Sequence, residues 1–419
     1  MSAGCCARAE TCARGGGSCA ASVHLAPPPA ALRAMAPEAR AEAGARRMEA
    51  DEARGALEAY DRLLAAGEPS GVELRATEAQ RSFCLDGMGG MQECGFSGKL
   101  SLEIPAVGLG TWKLKGDACR DAVLSALRLG YRHIDCADVY GNQREVGEAI
   151  AQAITEGVVR REDLFITGKL FPKVAPWAVE TALRATLAEL GVGYLDLWLL
   201  HWPLGEHAPV ADVWSEMARF KGAFGSDPRL PVRMIGVSNF SVAKLEALPA
   251  PKPIVNQVEM HPHWRQDELL AYCERRAIHI TAYGPLGSGD QWSADGLNRQ
   301  PSGAPPMGSQ AVRRAALLAG CSQAQALLAW AIARGVSVVP KSGHAGRQAQ
   351  NLAVGRGFRL PTEAAAALGD DSLEQYRLQH GAFHTGPGRQ FATLAELWDE
   401  DPAWAEGRDF PRPSGFRLR

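Results

Sequence analysis

The most informative stretch of this sequence is Tyr131-Arg132-His133-Ile134-Asp135-Cys136-Ala137-Asp138-Val139-Tyr140. It begins like a buried strand and ends in polar residues that a purely structural strand would not need. Asp135 stands where the apolar run stops, and Tyr140 follows in the next loop. An aspartate and a tyrosine that share a pocket are natural partners for proton transfer. The stretch therefore predicts a proton-transfer site whose other members lie elsewhere in the chain.

The strand-like part of this stretch belongs to a longer alternation. From Ile104 to Phe358, short apolar runs alternate with amphipathic helical segments, and the runs are 106–109, 131–136, 164–167, 195–200, 234–237, 254–258, 278–283 and 336–339. Strands that alternate with helices predict parallel strands covered by helices. Eight such units favour an α/β fold of the closed (β/α)8 type, a TIM barrel, over an open sheet.

Helix signals separate the runs. A helix is predicted from Ala118 to Leu129, where Gly130 ends it, and another from Pro176 to Leu190, where Gly191 ends it. Ser322 and Gln325 form a capping-box pattern before a third, apolar helix. Weaker signals at 241–248 and 267–275 predict two more helices.

Composition limits the classes of function. The 419 residues are 46% hydrophobic and 22% charged, with a net charge of −2, so no global charge favours nucleic acid. No apolar run reaches the roughly 18 residues that span a bilayer, so no membrane partner is expected. The ten cysteines lack the paired spacing of a zinc site, and no metal is predicted.

The regions outside the alternation have a different composition. Residues 1–97 are predicted to be a low-complexity, disordered extension with one possible helix at about 48–66. The part that follows this helix, 67–98, is predicted to be a linker to the barrel. The barrel is expected over 98–365, and 366–419 form a tail over its rim with one short helix. The first 47 residues contain Arg but no Lys, as transit peptides often do. A plastid or mitochondrial location is therefore the alternative to the expected cytoplasmic one.

Polar side chains at the predicted strand ends supply partners for the opening stretch. Active sites of such barrels lie at the C-terminal ends of the strands, where Lys169 ends the third run and His201 the fourth. An ammonium beside Tyr140 lowers the pKa of the phenol, and Asp135 would keep that ammonium in place. A neutral His201 can donate a hydrogen bond to a carbonyl oxygen. The four side chains predict a site that protonates a carbonyl oxygen while its carbon is attacked.

Five ordered motifs strengthen this interpretation. They are Gly130 to Asp135 with Tyr140 and Glu145-Val146-Gly147, Tyr194 to Leu197 through His201-Trp202-Pro203, Ile235 to Phe240, Val255 to Glu259, and Val338 to Ser342. From about residue 100 to 358 the sequence thereby resembles the aldo-keto reductase family, in particular its aldose and aldehyde reductase members. The resemblance implies a monomeric enzyme that reduces an aldehyde or ketone with NADPH.

The resemblance also implies a role for individual residues. Asp135, Tyr140, Lys169 and His201 match the family's catalytic tetrad, with Tyr140 as general acid. Trp112, Phe171 and Trp202 match residues of the substrate pocket. The cofactor positions are Ser238, Asn239 and Gln257 at the nicotinamide carboxamide, Tyr283 under its ring, Ser288 and Asp290 over the pyrophosphate, Lys341, Ser342 and Arg347 at the 2′-phosphate, and Gln350 and Asn351 at the adenine.

Two other functions stay open at this point. One is a Schiff-base aldolase of barrel fold that uses Lys169 as nucleophile, and the other is a non-catalytic NADPH-binding partner protein on the same fold. Residues 259–263, Glu-Met-His-Pro-His, have the wrong spacing for a helical zinc motif, and a barrel loop explains them. His133 and Asp138 receive no role. The tail residues Trp398, Trp404 and Phe410 either contact substrate or only cover the barrel.

Overall fold

A computed structural model describes residues 80–85, 93–95, 103–222, 231–288 and 305–400. Several predictions fall outside these residues. They are the extension over 1–79 with its possible helix at 48–66, the transit-peptide alternative, and the roles of Asp290, Trp404 and Phe410.

Eight parallel strands form the centre of the fold. Three short antiparallel strands precede them, β1 (Arg81–Cys84), β2 (Glu93–Gly95) and β3 (Glu103–Pro105). The eight parallel strands follow in spatial order along the sheet: β4 (Leu109–Gly110), β5 (His133–Asp135), β6 (Phe165–Leu170), β7 (Leu195–Leu200), β8 (Val232–Ser238), β9 (Val255–Glu259), β10 (His279–Tyr283) and β11 (Ser337–Val338).

Backbone contacts between the first and last of these strands close the sheet. Val107 and Val338 form a parallel bridge, the amide of Gly108 donates to the Val338 carbonyl over 2.8 Å, and Gly110 donates to Pro340 over 3.1 Å. Every predicted run overlaps one strand, and the prediction of a (β/α)8 barrel is confirmed. β6 and β7 are buried at every residue, as expected for parallel strands that are covered on both faces.

Helices cover the outside of the barrel. In the described part of the chain they are α1 (Gly116–Leu129), α2 (Gln143–Thr155), α3 (Val179–Leu190), α4 (Val210–Ala218), α5 (Val242–Ala247), α6 (Asp267–Arg275), α7 (Gln310–Ala319), α8 (Gln323–Ala333), α9 (Ala345–Val354), α10 (Thr362–Gly369) and α11 (Leu394–Trp398).

The termini of the predicted helices follow the expected rules. Gly130 ends α1 with φ of 103° and Gly191 ends α3 with φ of 62°, a region that glycine enters without steric cost. Ser322 and Gln325 form the predicted capping box of α8. In the described residues no single helix is long and apolar enough to cross a membrane. Only α7 and α8 together, which meet at 87°, reach that length and composition.

The predicted linker over 67–98 is wrong at β1 and β2. Phe83 is buried, and its ring centroid lies 5.1 Å from that of His279, the first residue of β10. The Arg81 guanidinium donates to the carbonyls of Val354 and Phe358 over 3.0 and 3.1 Å. The strand was missed because it is short and its partners lie far away in sequence. It closes the N-terminal end of the barrel.

The C-terminal tail does leave the barrel and contains the predicted short helix, α11. The boundary expected between 365 and 366 is misplaced, however, because it falls inside α10. We therefore use "the tail" below for the described residues 370–400, which follow α10. A single-turn helix at Ala382–His384 precedes α11 within it.

Candidate active site

Lys169 is the centre of the polar cluster at the C-terminal ends of the strands. Its ammonium is fully buried and forms an ion pair with Asp135 at the end of β5. The same nitrogen donates to the Cys136 carbonyl over 3.1 Å and to the Tyr140 hydroxyl over 3.2 Å. The structure therefore brings together three of the four predicted catalytic side chains through one ammonium.

Burial and neighbouring charges decide the protonation states of this cluster. Burial alone would lower the pKa of Lys169, but Asp135 and Tyr140 together raise it above its usual value, so the ammonium stays charged. Burial also raises the pKa of Tyr140 to about 12, against the opposing effect of Lys169. The expectation that Lys169 gives Tyr140 a lowered pKa is thus wrong for this structure, because desolvation of the phenolate outweighs the ammonium. Tyr140 holds its proton at neutral pH.

His201 is the fourth member and follows β7. Its ring centroid lies 5.8 Å from that of Tyr140, at an interplanar angle of 76°. Burial, with the charge of Lys169 as the next cause, holds the pKa of His201 well below its usual range. The imidazole is therefore neutral at physiological pH, as predicted. Its Nδ1 is buried and has no hydrogen-bond partner among the described residues.

Amide and hydroxyl groups from β8, β9 and β10 stand beside this cluster. Gln257 donates from Nε2 to Asp135 over 2.7 Å, and Ser238 donates from its hydroxyl to the Gln257 carbonyl over 2.8 Å. The Tyr283 hydroxyl donates to Asn239 Oδ1 over 2.7 Å, and Asn239 Nδ2 donates to the His201 carbonyl over 2.9 Å. Mixed donors and acceptors of this kind suit a carboxamide. All four predicted nicotinamide residues lie next to the catalytic cluster.

The predicted phosphate residues gather around the start of α9. Lys341 and Arg347 are exposed, and the Ser342 hydroxyl accepts from the His344 amide over 3.2 Å. Two cations, a hydroxyl and a helix N-terminus form a donor set that fits a phosphate group. Of the other predicted cofactor residues, Asn351 is buried and Gln350 half-buried on α9, and Ser288 lies in the loop after β10.

Three aromatic residues surround the cluster on its other side. The Trp112 ring is 42% exposed and lies 6.4 Å from that of Tyr140. Phe171 meets His201 edge-on at 6.0 Å between ring centroids. Trp202 is buried, because Phe383, His384 and Trp398 from the tail cover it at 5.9, 4.6 and 5.7 Å. The pocket is therefore lined by tail residues as well as by the predicted ones.

Sequence reasoning missed His384 altogether. It is buried against Trp202 and lies 5.7 Å from the Phe171 ring, between ring centroids. Burial, with smaller effects of Lys173 and Arg389, lowers the pKa of His384 to about 4. No motif marks this histidine in the sequence, because only the path of the tail brings it over the barrel.

Asp138, which the sequence left without a role, holds the pocket wall. One carboxylate oxygen accepts from the Val139 amide over 2.7 Å, and the other accepts from the Phe171 amide over 2.9 Å. The residue thereby ties the turn that carries Tyr140 to the loop after β6. His133 lies lower in the barrel, where its Nε2 and the Thr167 hydroxyl are 3.0 Å apart.

Glu259 ends β9 and makes contacts that explain the Glu-Met-His-Pro-His segment. Its buried carboxylate lies 2.9 Å from His261 Nε2 and accepts from the backbone amides of Leu378 and Gln379 over 2.8 and 2.6 Å. Burial alone would raise the pKa of Glu259, but these hydrogen bonds hold it below its usual range. The segment serves the attachment of the tail.

Comparisons with known proteins identify a family. A model of the Aldo/keto reductase family matches residues 106–370. The chain is 42% identical over 314 residues to the aldo/keto reductase slr0942 of Synechocystis sp., a match that covers 71% of this chain and 94% of that protein. It is 38% identical over 278 residues to aldo-keto reductase family 1 member A1 of Sus scrofa, covering 60% of this chain and 81% of that protein.

A solved structure is similar in fold as well. The crystal structure of Bombyx mori aldo-keto reductase (AKR2E4) in complex with NADP gives a TM-score of 0.57 at 33% sequence identity, and the match covers 66% of this chain and 91% of that chain. Since the family model spans most of the barrel and the Synechocystis relative is matched over nearly its whole length, the chain belongs to the aldo/keto reductase family.

Proposed function

We propose that this protein reduces the carbonyl group of an aldehyde or ketone to an alcohol with NADPH. The contact of the buried Lys169 ammonium with the Tyr140 hydroxyl, 3.2 Å apart, is the observation that carries the proposal. A proton donor and a fixed positive charge beside it are what the developing alkoxide of a carbonyl reduction requires.

Each member of the cluster has a part in this reaction. Tyr140 gives its proton to the carbonyl oxygen and afterwards regains one from solvent. Lys169 stabilises the phenolate that this transfer leaves, and Asp135 keeps the ammonium in position through their ion pair. His201 is neutral and donates a hydrogen bond that orients the carbonyl oxygen.

The cofactor side uses the residues of β8 to β10 and α9. When bound, NADPH supplies the hydride for the carbonyl carbon. Ser238, Asn239 and Gln257 hold its carboxamide, and Tyr283 supports the ring. Lys341 and Arg347 favour NADPH over NADH, because a 2′-phosphate gains charge-assisted hydrogen bonds that a hydroxyl cannot match. The Bombyx mori relative, solved in complex with NADP, supports this choice of cofactor.

We propose aldehydes as the better substrates, which makes the protein an aldehyde reductase within its family. The aromatic rings of Trp112 and Phe171 beside Tyr140 and His201 support this, because an aldehyde carries a hydrogen where a ketone carries a second carbon group and is therefore easier to place among them. A monomeric state and a cytoplasmic location stay predictions from the sequence.

The charge on Lys169 argues against the Schiff-base alternative. Formation of an imine needs a neutral amine, whereas Asp135 and Tyr140 raise the pKa of this lysine. The second alternative, a non-catalytic NADPH-binding protein, differs only in turnover.

A substrate panel tests the proposal. We expect the purified protein to oxidise NADPH in the presence of aldehydes, with slower turnover of matched ketones and of NADH. NADPH binding without oxidation across the panel would favour the non-catalytic protein, and borohydride trapping of substrate on Lys169 would favour the aldolase.

A further inference from the structure

The tail contributes part of the pocket wall, so whatever fixes the tail also fixes the pocket. Phe383 and His384 lie over Trp202, and His384 also contacts Phe171, the ring that meets His201. A displacement of these two tail residues would open the wall beside the site of carbonyl binding.

Glu259 is the buried point at which the barrel holds this part of the tail. Both carboxylate oxygens are used: one accepts from the Leu378 amide and the other from the Gln379 amide, over 2.8 and 2.6 Å. Glu259 is 3% exposed, so these hydrogen bonds are shielded from water. A carboxylate offers acceptors to both backbone amides, and a side-chain amide would offer one acceptor and one donor.

The anchored residues lie directly before those that cover the pocket. Gly381 follows Gln379 by two positions and adopts φ of 74°. A Cβ on Gly381 would lie 2.9 Å from the Trp202 ring and 2.9 Å from Leu397, so the backbone itself lies against the pocket wall. The carbonyl of His380 accepts from the Trp398 indole over 2.6 Å. The path from Glu259 to His384 is therefore short and tightly packed.

Other contacts also hold the tail to the barrel. Asp371 pairs with Arg265 over 2.7 Å near the start of the tail, and Asp399 pairs with Lys244 over 2.5 Å near its end. Arg265 is buried as well and donates to the carbonyls of Gly369 and Asp370 over 3.0 and 3.2 Å, whereas Glu259 binds the backbone directly before the residues that cover the pocket. Glu259 is also paired in register with Tyr283, the residue expected under the nicotinamide ring.

We infer that Glu259 is a positioning residue that sets the affinity for larger carbonyl substrates by holding the tail against Trp202 and Phe171. The inference rests on the proposed function for its substrate, while the attachment of the tail is independent of it. Small aldehydes that reach only Tyr140 and His201 do not depend on Glu259.

The variant Glu259→Gln keeps the size of the side chain and removes one acceptor. We expect the KM for a bulky aromatic aldehyde to rise at least about fivefold, with propanal changed less than about twofold, since a lost charge-assisted hydrogen bond is worth roughly this factor or more. The dissociation constant of NADPH should stay within about twofold. Glu374→Gln, the same change on an exposed tail residue, is the matched control and should leave all three values unchanged.

An equal rise in KM for the bulky aldehyde and for propanal would overturn the inference, and so would a loss of NADPH affinity in place of these changes. Hydrogen exchange of the tail supplies a readout that needs no turnover. In the wild-type protein the amides of Leu378 and Gln379 should exchange at least about tenfold more slowly than that of the exposed Phe383, and Glu259→Gln should remove most of this protection.

Should Glu259→Gln fail to fold, the wild-type exchange measurement still decides, because rapid exchange at Leu378 and Gln379 contradicts the anchor. If wild-type protein shows no reductase activity while this protection is present, the proposed function fails and the attachment of the tail stands.

Discussion

The Tyr140 hydroxyl lies 3.2 Å from the Lys169 ammonium, which also pairs with Asp135. Burial raises the pKa of Tyr140 to about 12 in spite of that charge. The phenol is therefore protonated over the whole neutral range and can serve as a donor without first gaining a proton.

The variant Tyr140→Phe removes this donor and little else. We expect kcat/KM for aldehydes to fall by at least about 10²-fold, a usual loss for a missing general acid. NADPH binding, followed by quenching of intrinsic fluorescence, should persist. Tyr272→Phe on α6 removes a hydroxyl away from the cluster and should retain activity. Turnover at the wild-type rate in Tyr140→Phe would exclude Tyr140 as the acid.

Lys341 and Arg347 should decide between the two nicotinamide cofactors. We expect Lys341→Met and Arg347→Met each to raise the KM for NADPH by about tenfold, because each removes a charge-assisted contact with the 2′-phosphate. The KM for NADH should change little. Arg314→Met, an exposed arginine on α7, is the control. If the KM values for NADPH and NADH rose by the same factor, Lys341 and Arg347 would not contact the 2′-phosphate.

Asp196 lies in the lower half of the barrel and should affect stability rather than catalysis. Its buried carboxylate pairs with Arg161 over 2.7 Å and Arg233 over 2.5 Å, and it accepts from the Ile166 amide over 2.9 Å. Asp196→Asn leaves two cations without their counter-charge, which costs about 3 kcal/mol or more of unfolding free energy.

Denaturant unfolding and kinetics separate these effects of Asp196→Asn. The midpoint should fall, while kcat of the folded fraction stays within about twofold, because the lower end of such a barrel serves stability. Glu216→Gln, which breaks the surface pair with Arg219, should shift the midpoint much less. A loss of kcat without a loss of stability would contradict this division.

Two buried histidines in the barrel predict a dependence of stability on pH. Burial lowers the pKa of His133 to about 4 and that of His279 to about 3, from the ordinary value of 6.5. Between these values the unfolded chain binds more protons than the folded one, so stability falls as pH drops from 6.5 towards 4.

Comparison of variants isolates this contribution. In His133→Asn the unfolding free energy should depend less steeply on pH in this window, by an amount that corresponds to at most one bound proton. The variant is also expected to be less stable at pH 7. An unaltered slope in His133→Asn would mean that this histidine titrates normally in the folded protein.

The residues that the sequence located best are those tied to local patterns. Lys169 and His201 end apolar strands, so a barrel of alternating strands and helices places them at one rim with Asp135. Such patterns do not report desolvation, which depends on everything that surrounds a side chain. The pKa of Tyr140 was therefore expected in the wrong direction, since the charge beside it was foreseen and its burial was not.

Contacts between distant segments account for the other differences. Glu259 binds amides 119 and 120 residues away, and nothing near it in the sequence points to them. The strand at Phe83 is equally hidden, because it is short and its aromatic partner His279 stands on β10. The sequence gives no role to Asp138, and its role is visible only from its hydrogen bond with the Phe171 amide.

Phe83 also bears on how this protein is to be shortened for expression. The span that the family model recognises, 106–370, omits both β1 beneath the barrel and the tail above the pocket. A fragment cut to that span would expose apolar surface at both ends of the barrel, with Trp202 uncovered at the end that carries the pocket. We expect such a fragment to aggregate. Residues before the recognisable domain thus belong to its folding unit, and cloning boundaries drawn from family similarity alone would cut through it.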